Sequence, residues 1–177
     1  MPTNEAAFPK ETRIRPFRTS DATALPQILH AAARSTAPRY YNVQQVQAWS
    51  PSPMTATQFL ARIADAREVL VATAPNDAPL GFIELERNGH IDCFYCHPDW
   101  IGQGIGARLY QAAFEQAQAL GIQALQVEAS EAARGFFLHR GFQGIRRQEV
   151  ERHGVTLHNY VMTKSLVATG LGDQSSS

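Results

Sequence analysis

Gly102-Gln103-Gly104-Ile105-Gly106-Ala107 is the stretch on which the reading of this chain turns. It sits between a β-like run, Ile91 to His97, and a helix-like run, Ala107 to Leu120. A strand, a glycine-rich turn and a helix start together make an anion site. The first helical turn leaves N–H groups unpaired and carries partial positive charge. Glycine lets the backbone close on phosphate oxygens with no Cβ in the way. The stretch therefore predicts a phosphorylated ligand.

The spacing narrows the choice. A dinucleotide fingerprint needs G-x-G-x-x-G, and position 107 is Ala, so the third glycine is missing. A P-loop needs Lys and Ser or Thr after its last glycine, and Ala107-Arg108-Leu109 follows here. Both nucleotide readings fail on residue identity and remain only as a residual alternative.

The wider segment from Cys96 to Leu109 resembles motif A of the GNAT superfamily of acyl-CoA N-acetyltransferases. The run Ser130-Glu131-Ala132-Ala133-Arg134-Gly135-Phe136-Phe137-Leu138-His139-Arg140-Gly141-Phe142 is similar to its motif B. Ile14-Arg15-Pro16-Phe17 with Asp21 looks like that superfamily's opening strand and first helix, and Gly154-Val155 through Leu166 like its last strand. The resemblance spans about residues 13–166. Departures are Cys96 in the usual Val slot, Ile101 in the Gln/Arg slot, Ser130 in the Asn slot and Phe137 where many relatives carry Tyr. The double Phe and the closing strand look more like the small YafP-like branch.

The resemblance implies an α/β fold: a mixed, mostly antiparallel twisted sheet flanked by helices, with a central βαβ unit. It implies acetyl-CoA as cosubstrate. N–H groups of Gln103, Gly104, Ile105, Gly106 and Ala107 would face the pyrophosphate, with Ile101 and Gly102 at the entrance. Phe94, Tyr95 and Cys96 would pair with the pantetheine arm, where their strand splays from the run Gln123–Ala129. Ser130 and Phe137 complete the expected cofactor set, with Phe137 packing against the thioester.

Composition is consistent with one domain. The chain has 177 residues, 44% of them apolar, enough for a single core. Formal net charge is zero, which argues against a general nucleic-acid or membrane-surface binder. No apolar stretch reaches spanning length, and Met1 to Glu5 lacks a signal pattern. A cytoplasmic protein is expected, with a mobile lead at 1–12, the domain at 13–166 and a disordered tail at 167–177. Cys93 and Cys96 form a C-x-x-C, but on a strand positions three apart face opposite ways, so neither zinc nor a disulfide is expected.

Acetyl transfer needs an amine as free base and a proton for the departing thiolate. Asp92 ranks first as general base, because it shares the thioester-binding strand. Glu84, on the neighbouring hairpin strand, follows, and His90 and Glu128 are further candidates. With Phe137 lacking a proton, Tyr95 or water is the expected acid. A two-step route through Cys96 is the minor mechanistic alternative. Arg39, Tyr40, Tyr41 and Trp49 cluster in the segment expected to recognise the acceptor, a small-molecule or peptide primary amine. The rival readings are a non-catalytic acyl-CoA sensor and a transferase of longer acyl groups. A homodimer is left open.

Overall fold

The computed structural model describes residues 11–167. Apart from residues 11, 12 and 167, the expected mobile lead and disordered tail lie outside the described residues. Seven strands form one sheet: β1 (Arg13–Pro16), β2 (Glu68–Thr73), β3 (Pro79–Leu85), β4 (His90–Cys96), β5 (Ala124–Ala129), β6 (Gln143–Arg152) and β7 (Val155–Ser165). Their order is β1-β2-β3-β4-β5-β7-β6. Only β4 and β5 run parallel, joined through helix α4 (Ile105–Ala119), which is the expected βαβ unit. The mixed, mostly antiparallel architecture inferred above is therefore the architecture observed.

Helices cover both faces. On β2, alternation sends Val69 and Val71 to one side and Leu70 and Ala72 to the other. The first side packs against α1 (Ala24–Thr36) and α3 (Ala56–Arg62), through Leu25, Ile28 and Phe59. The second packs against α4 and α5 (Glu131–Leu138), through Leu109, Ala113 and Phe137. Helix α2 (Val43–Trp49) closes a smaller cluster with Leu157 of β7. Asn42 caps α2 with its side chain on the Gln45 N–H at 2.9 Å.

Tertiary contacts shape the local details. The chain between β1 and α1 forms a 3-10 stretch, Thr19–Thr23. Asp21 there accepts the Arg18 N–H at 2.8 Å and both terminal nitrogens of Arg15 at 2.8 and 2.9 Å, so it is a buried ion partner as well as a turn residue. Helix α3 stops at Arg62, where the chain turns to deliver Arg67 into the ion cluster described below. Strand β3 is buried throughout from Leu80 to Leu85, because helices cover both of its faces.

One irregularity positions the site. Ile83 pairs with Phe94 and Leu85 with Ile91. Two residues of β4, Asp92 and Cys93, thus oppose the single residue Glu84, which is a β-bulge. Just beyond it β4 parts from β5: their pairing is confined to His90 with Gln126 and Ile91 with Val127.

Candidate active site

The parting of β4 from β5 opens the sheet from both faces. One cleft, of about 400 Å³, lies over Phe94, Tyr95 and Cys96 and runs to the Gly102–Ala107 turn. The other, of about 680 Å³, lies between the α2–α3 connection and the β6–β7 hairpin, with Asp92 and Glu128 on its wall. Trp49 and Tyr95 line both. The Trp49 Nε1–H donates to the Tyr95 hydroxyl oxygen at 3.3 Å, so the two side chains form the partition between the clefts.

The narrower cleft ends on the start of α4. Gly104 precedes α4 with φ +80°, a left-handed conformation that most residues reach only at a cost. The first intrahelical bond is from the Arg108 N–H to the Gly104 carbonyl at 3.1 Å, so the N–H groups of Ile105, Gly106 and Ala107 remain free of helix partners. Gly106 lies at the cleft floor, where an added Cβ would touch Phe94, Cys96 and Phe136 at 3.4 to 3.7 Å. Ser130 caps α5 through the Ala133 N–H at 3.2 Å and lines the cleft. Ile101 is exposed at the rim.

Phe137 sits elsewhere than the sequence suggests. It is 1% exposed, with ring centroids of Phe142 and Phe136 at 5.0 and 5.3 Å, and it packs in the core below the cleft. Phe136 takes the wall position instead, with the Arg140 guanidinium 3.4 Å above its ring. Helical geometry explains the swap, since adjacent residues differ by about 100° around the axis and sequence alone does not say which of two Phe faces inward.

The candidate bases lie in two separate arrangements. Glu84 is fully buried, and both its oxygens accept from Arg62 at 2.5 and 2.7 Å, with Arg67 at 2.8 Å. Asp92 gives one oxygen, Oδ2, to both arginines at 2.6 Å. Burial works against the Asp92 charge, but the Arg67 hydrogen bond and the charges of Arg62, Arg67 and His90 outweigh it and hold its carboxyl below the ordinary value. Glu128 instead hydrogen-bonds His90 Nε2 through Oε2. Burial opposes the His90 charge, but Glu128 and Glu86 overcome it, so its pKa is raised. Sequence reading did not find Arg62 and Arg67, which come from a helix end and a loop; no local motif marks them.

Glu86, His90 and Asp92 each offer a ligand atom within 4.8 Å of the others. Asp92 and Glu86 are already bridged by Arg67, at 2.6 and 3.1 Å, so a cation there would compete with a fixed guanidinium. The two thiols face opposite sides of the sheet, Cys93 toward α1 and α3 and Cys96 toward α4. Burial pushes the Cys96 thiol up to about 11. Burial, then the neighbouring Cys93, raise the Tyr95 hydroxyl well above the ordinary phenol value, against the opposing pull of the Trp49 hydrogen bond.

Of the acceptor candidates, the structure brings Trp49 and Tyr41 together, ring centroids 5.4 Å apart. Tyr41 is buried; its hydroxyl donates to the His158 carbonyl at 3.0 Å and accepts the Glu131 N–H at 3.1 Å. Arg39 and Tyr40 are exposed and line neither cleft. Arg39 ends the 3-10 turn Ala37–Arg39 and Tyr40 directly follows it.

A sheet parted between its parallel strands, with a helix start at the mouth of the gap, is the arrangement that the resemblance to acyl-CoA N-acetyltransferases implies. The Acetyltransferase (GNAT) domain family matches residues 38–164, and the chain belongs to that family as an N-acetyltransferase. The Escherichia coli (strain K12) protein named uncharacterized N-acetyltransferase YafP is 29% identical over 150 residues, 85% of this chain and 93% of its own. A GCN5-related N-acetyltransferase from Rhodopseudomonas palustris, also described as a class-II aminotransferase, is 34% identical with a TM-score of 0.82, over 89% of this chain and 97% of that one. The PaiA N-acetyltransferase from Thermoplasma acidophilum, solved with coenzyme A, shares the fold at 19% identity and a TM-score of 0.67, over 88% and 99% of the two chains. Among the described residues no helix is long and apolar enough to cross a membrane.

Proposed function

We propose that the protein transfers acetyl from acetyl-CoA to the primary amine of a small molecule or peptide, by direct attack in a ternary complex. The observation that carries this reading is the pair of clefts meeting at Trp49 and Tyr95. The pantetheine arm lies along Phe94–Cys96, its pyrophosphate against the free N–H groups of Ile105 to Ala107. The amine approaches from the wider cleft. An acceptor cleft of this size favours a two-substrate enzyme over a non-catalytic sensor.

The amine nitrogen attacks the thioester carbon, the C–S bond breaks, and the products are the N-acetyl amide and the CoA thiol. An ammonium group must first lose a proton. Asp92, held ionised by two arginines, is a weak base but a persistent anion, and it anchors the ammonium. Glu128, with Oε1 free of hydrogen bonds among the described residues, takes the proton directly or through water, His90 holding its other oxygen. Tyr95 donates a hydrogen bond to the departing sulfur. A phenol above its ordinary pKa gives up a full proton poorly to a thiolate of pKa near 8.5, so water completes the protonation. The two-step route needs a Cys96 thiolate, which burial disfavours at neutral pH.

Calorimetric titration of acetyl-CoA, followed by thiol release against an amine panel, tests the reading. Glu128→Gln is expected to keep acetyl-CoA affinity and to lower kcat by about a hundredfold. No binding of acetyl-CoA to the folded wild type refutes the whole proposal.

A further inference from the structure

The wider cleft is charged at both ends. Asp92 and Glu128 stand at the β4–β5 end, where the amine must react. At the other end the β6 strand presents Gln148, Val150 and Arg152 on one face by its period of two, while Glu149 and Glu151 alternate away from the cleft. Arg152 lies near enough to Tyr95 for its charge to act on that hydroxyl. Among the described residues Arg152 has no carboxylate partner, unlike Arg62 in the same cleft, which is tied to Glu84 and Asp92. His153 stands next to it, its ring fixed by Nδ1–H donating to the Ala48 carbonyl at 3.0 Å. The rest of the lining is mixed, with apolar Leu29, Met54 and Leu157 beside polar Gln58 and Asn159.

We propose that the acceptor is an amine that also bears an anionic group, with Arg152 engaging the anion while Asp92 and Glu128 receive the amine; this rests on reading the wider cleft as the acceptor site. A simple alkylamine leaves the guanidinium unanswered, and a diamine sets a second cation against it. An amino acid, or an aminoalkyl phosphonate, complements both the carboxylates and the guanidinium. Carboxylate and phosphonate share the chemistry that a guanidinium recognises, a planar or forked set of anionic oxygens.

Thiol release from acetyl-CoA is measured with matched acceptors: α-, β- and γ-amino acids, each beside its carboxamide, with aminoalkyl phosphonates and a diamine in parallel. An anionic acceptor is expected to exceed its neutral partner in kcat/KM by about tenfold or more, as one charge-assisted contact provides. Arg152→Gln should shrink that ratio to about threefold or less, through KM rather than kcat, and Arg152→Lys should restore part of it. Carboxamides or the diamine turned over as well as the anionic acceptors would overturn the inference and leave acetyl transfer to amines standing. So would an anionic preference that Arg152→Gln does not change. A protein that binds acetyl-CoA and acetylates no amine would overturn both this inference and the catalytic reading.

Discussion

Arg62→Met separates a structural ion from a catalytic base. Arg62 supplies two of the three hydrogen bonds to the fully buried Glu84 carboxylate and one to Asp92. Methionine fills a similar volume but offers no donor, leaving Glu84 with Arg67 at 2.8 Å. Breaking a buried ion pair from one side costs about 3 kcal/mol or more, because the remaining charge stays out of water. With a urea m-value of about 2 kcal/mol/M, the unfolding midpoint should fall by about 1.5 M at pH 7. Glu84→Gln alone keeps an acceptor for both arginines and should cost about 1 to 2 kcal/mol. In the Glu84→Gln background Arg62→Met no longer strands a charge, so the cycle should show coupling of about 2 kcal/mol. Circular dichroism with urea titration of the four proteins gives that number. Turnover of folded Glu84→Gln should stay within about threefold of wild type, whereas loss of a general base lowers rates by about a hundredfold or more. Coupling under about 0.5 kcal/mol, or a hundredfold fall in kcat, would refute the assignment of Glu84 as a structural anion.

Other outcomes follow from the same geometry. Gly106→Leu sends a side chain across the cleft floor between Phe94 and Phe136; acetyl-CoA affinity by calorimetry should fall by about tenfold or more, with the melting temperature little changed, and an unchanged Kd would contradict the cleft assignment. Tyr95→Phe removes the hydroxyl that faces both clefts and should lower kcat by about tenfold with KM for acetyl-CoA preserved; full turnover would remove Tyr95 from the mechanism. Phe137→Ala opens a core cavity and should cost about 3 to 5 kcal/mol in urea unfolding, while loss of acetyl-CoA binding without loss of stability would return Phe137 to the cleft wall. Asp21 and Asp92 have lowered folded values, so their contribution is present above the unfolded carboxylate pKa and is lost as pH falls through the folded one. Stability should therefore decline below about pH 4. His90 has the opposite sign, its raised value adding stability that is complete below the unfolded pKa and fades as pH rises through the folded one. A melting curve across pH, repeated on Asp92→Asn, should show a shallower acid limb in the variant.

Residues that act through local geometry were legible in the chain. The glycine run from Gly102 to Gly106 announces a tight turn before a helix, because it does its work within a few residues of itself. Alternation placed Cys93 and Cys96 on opposite faces, since the period of a strand is a property of the backbone. The succession of strand, glycine turn and helix along the chain, with the family resemblance it carries, announced the βαβ unit.

Tertiary structure alone decided what those groups face. Glu84 stands in the sequence as a candidate base, and only the packing of α3 over β3 buries it under Arg62. Asp92 and Glu128 are both carboxylates on neighbouring strands, yet one meets two guanidinia and the other an imidazole, and the proposed difference in their roles rests on those partners. Phe136 and Phe137 differ by a single step of helix rotation, which settles the wall and the core between them. Partners such as Arg62 with Glu84, or Trp49 with Tyr95, are more than 20 residues apart, and their meeting depends on the whole sheet closing rather than on any signal carried by the residues themselves.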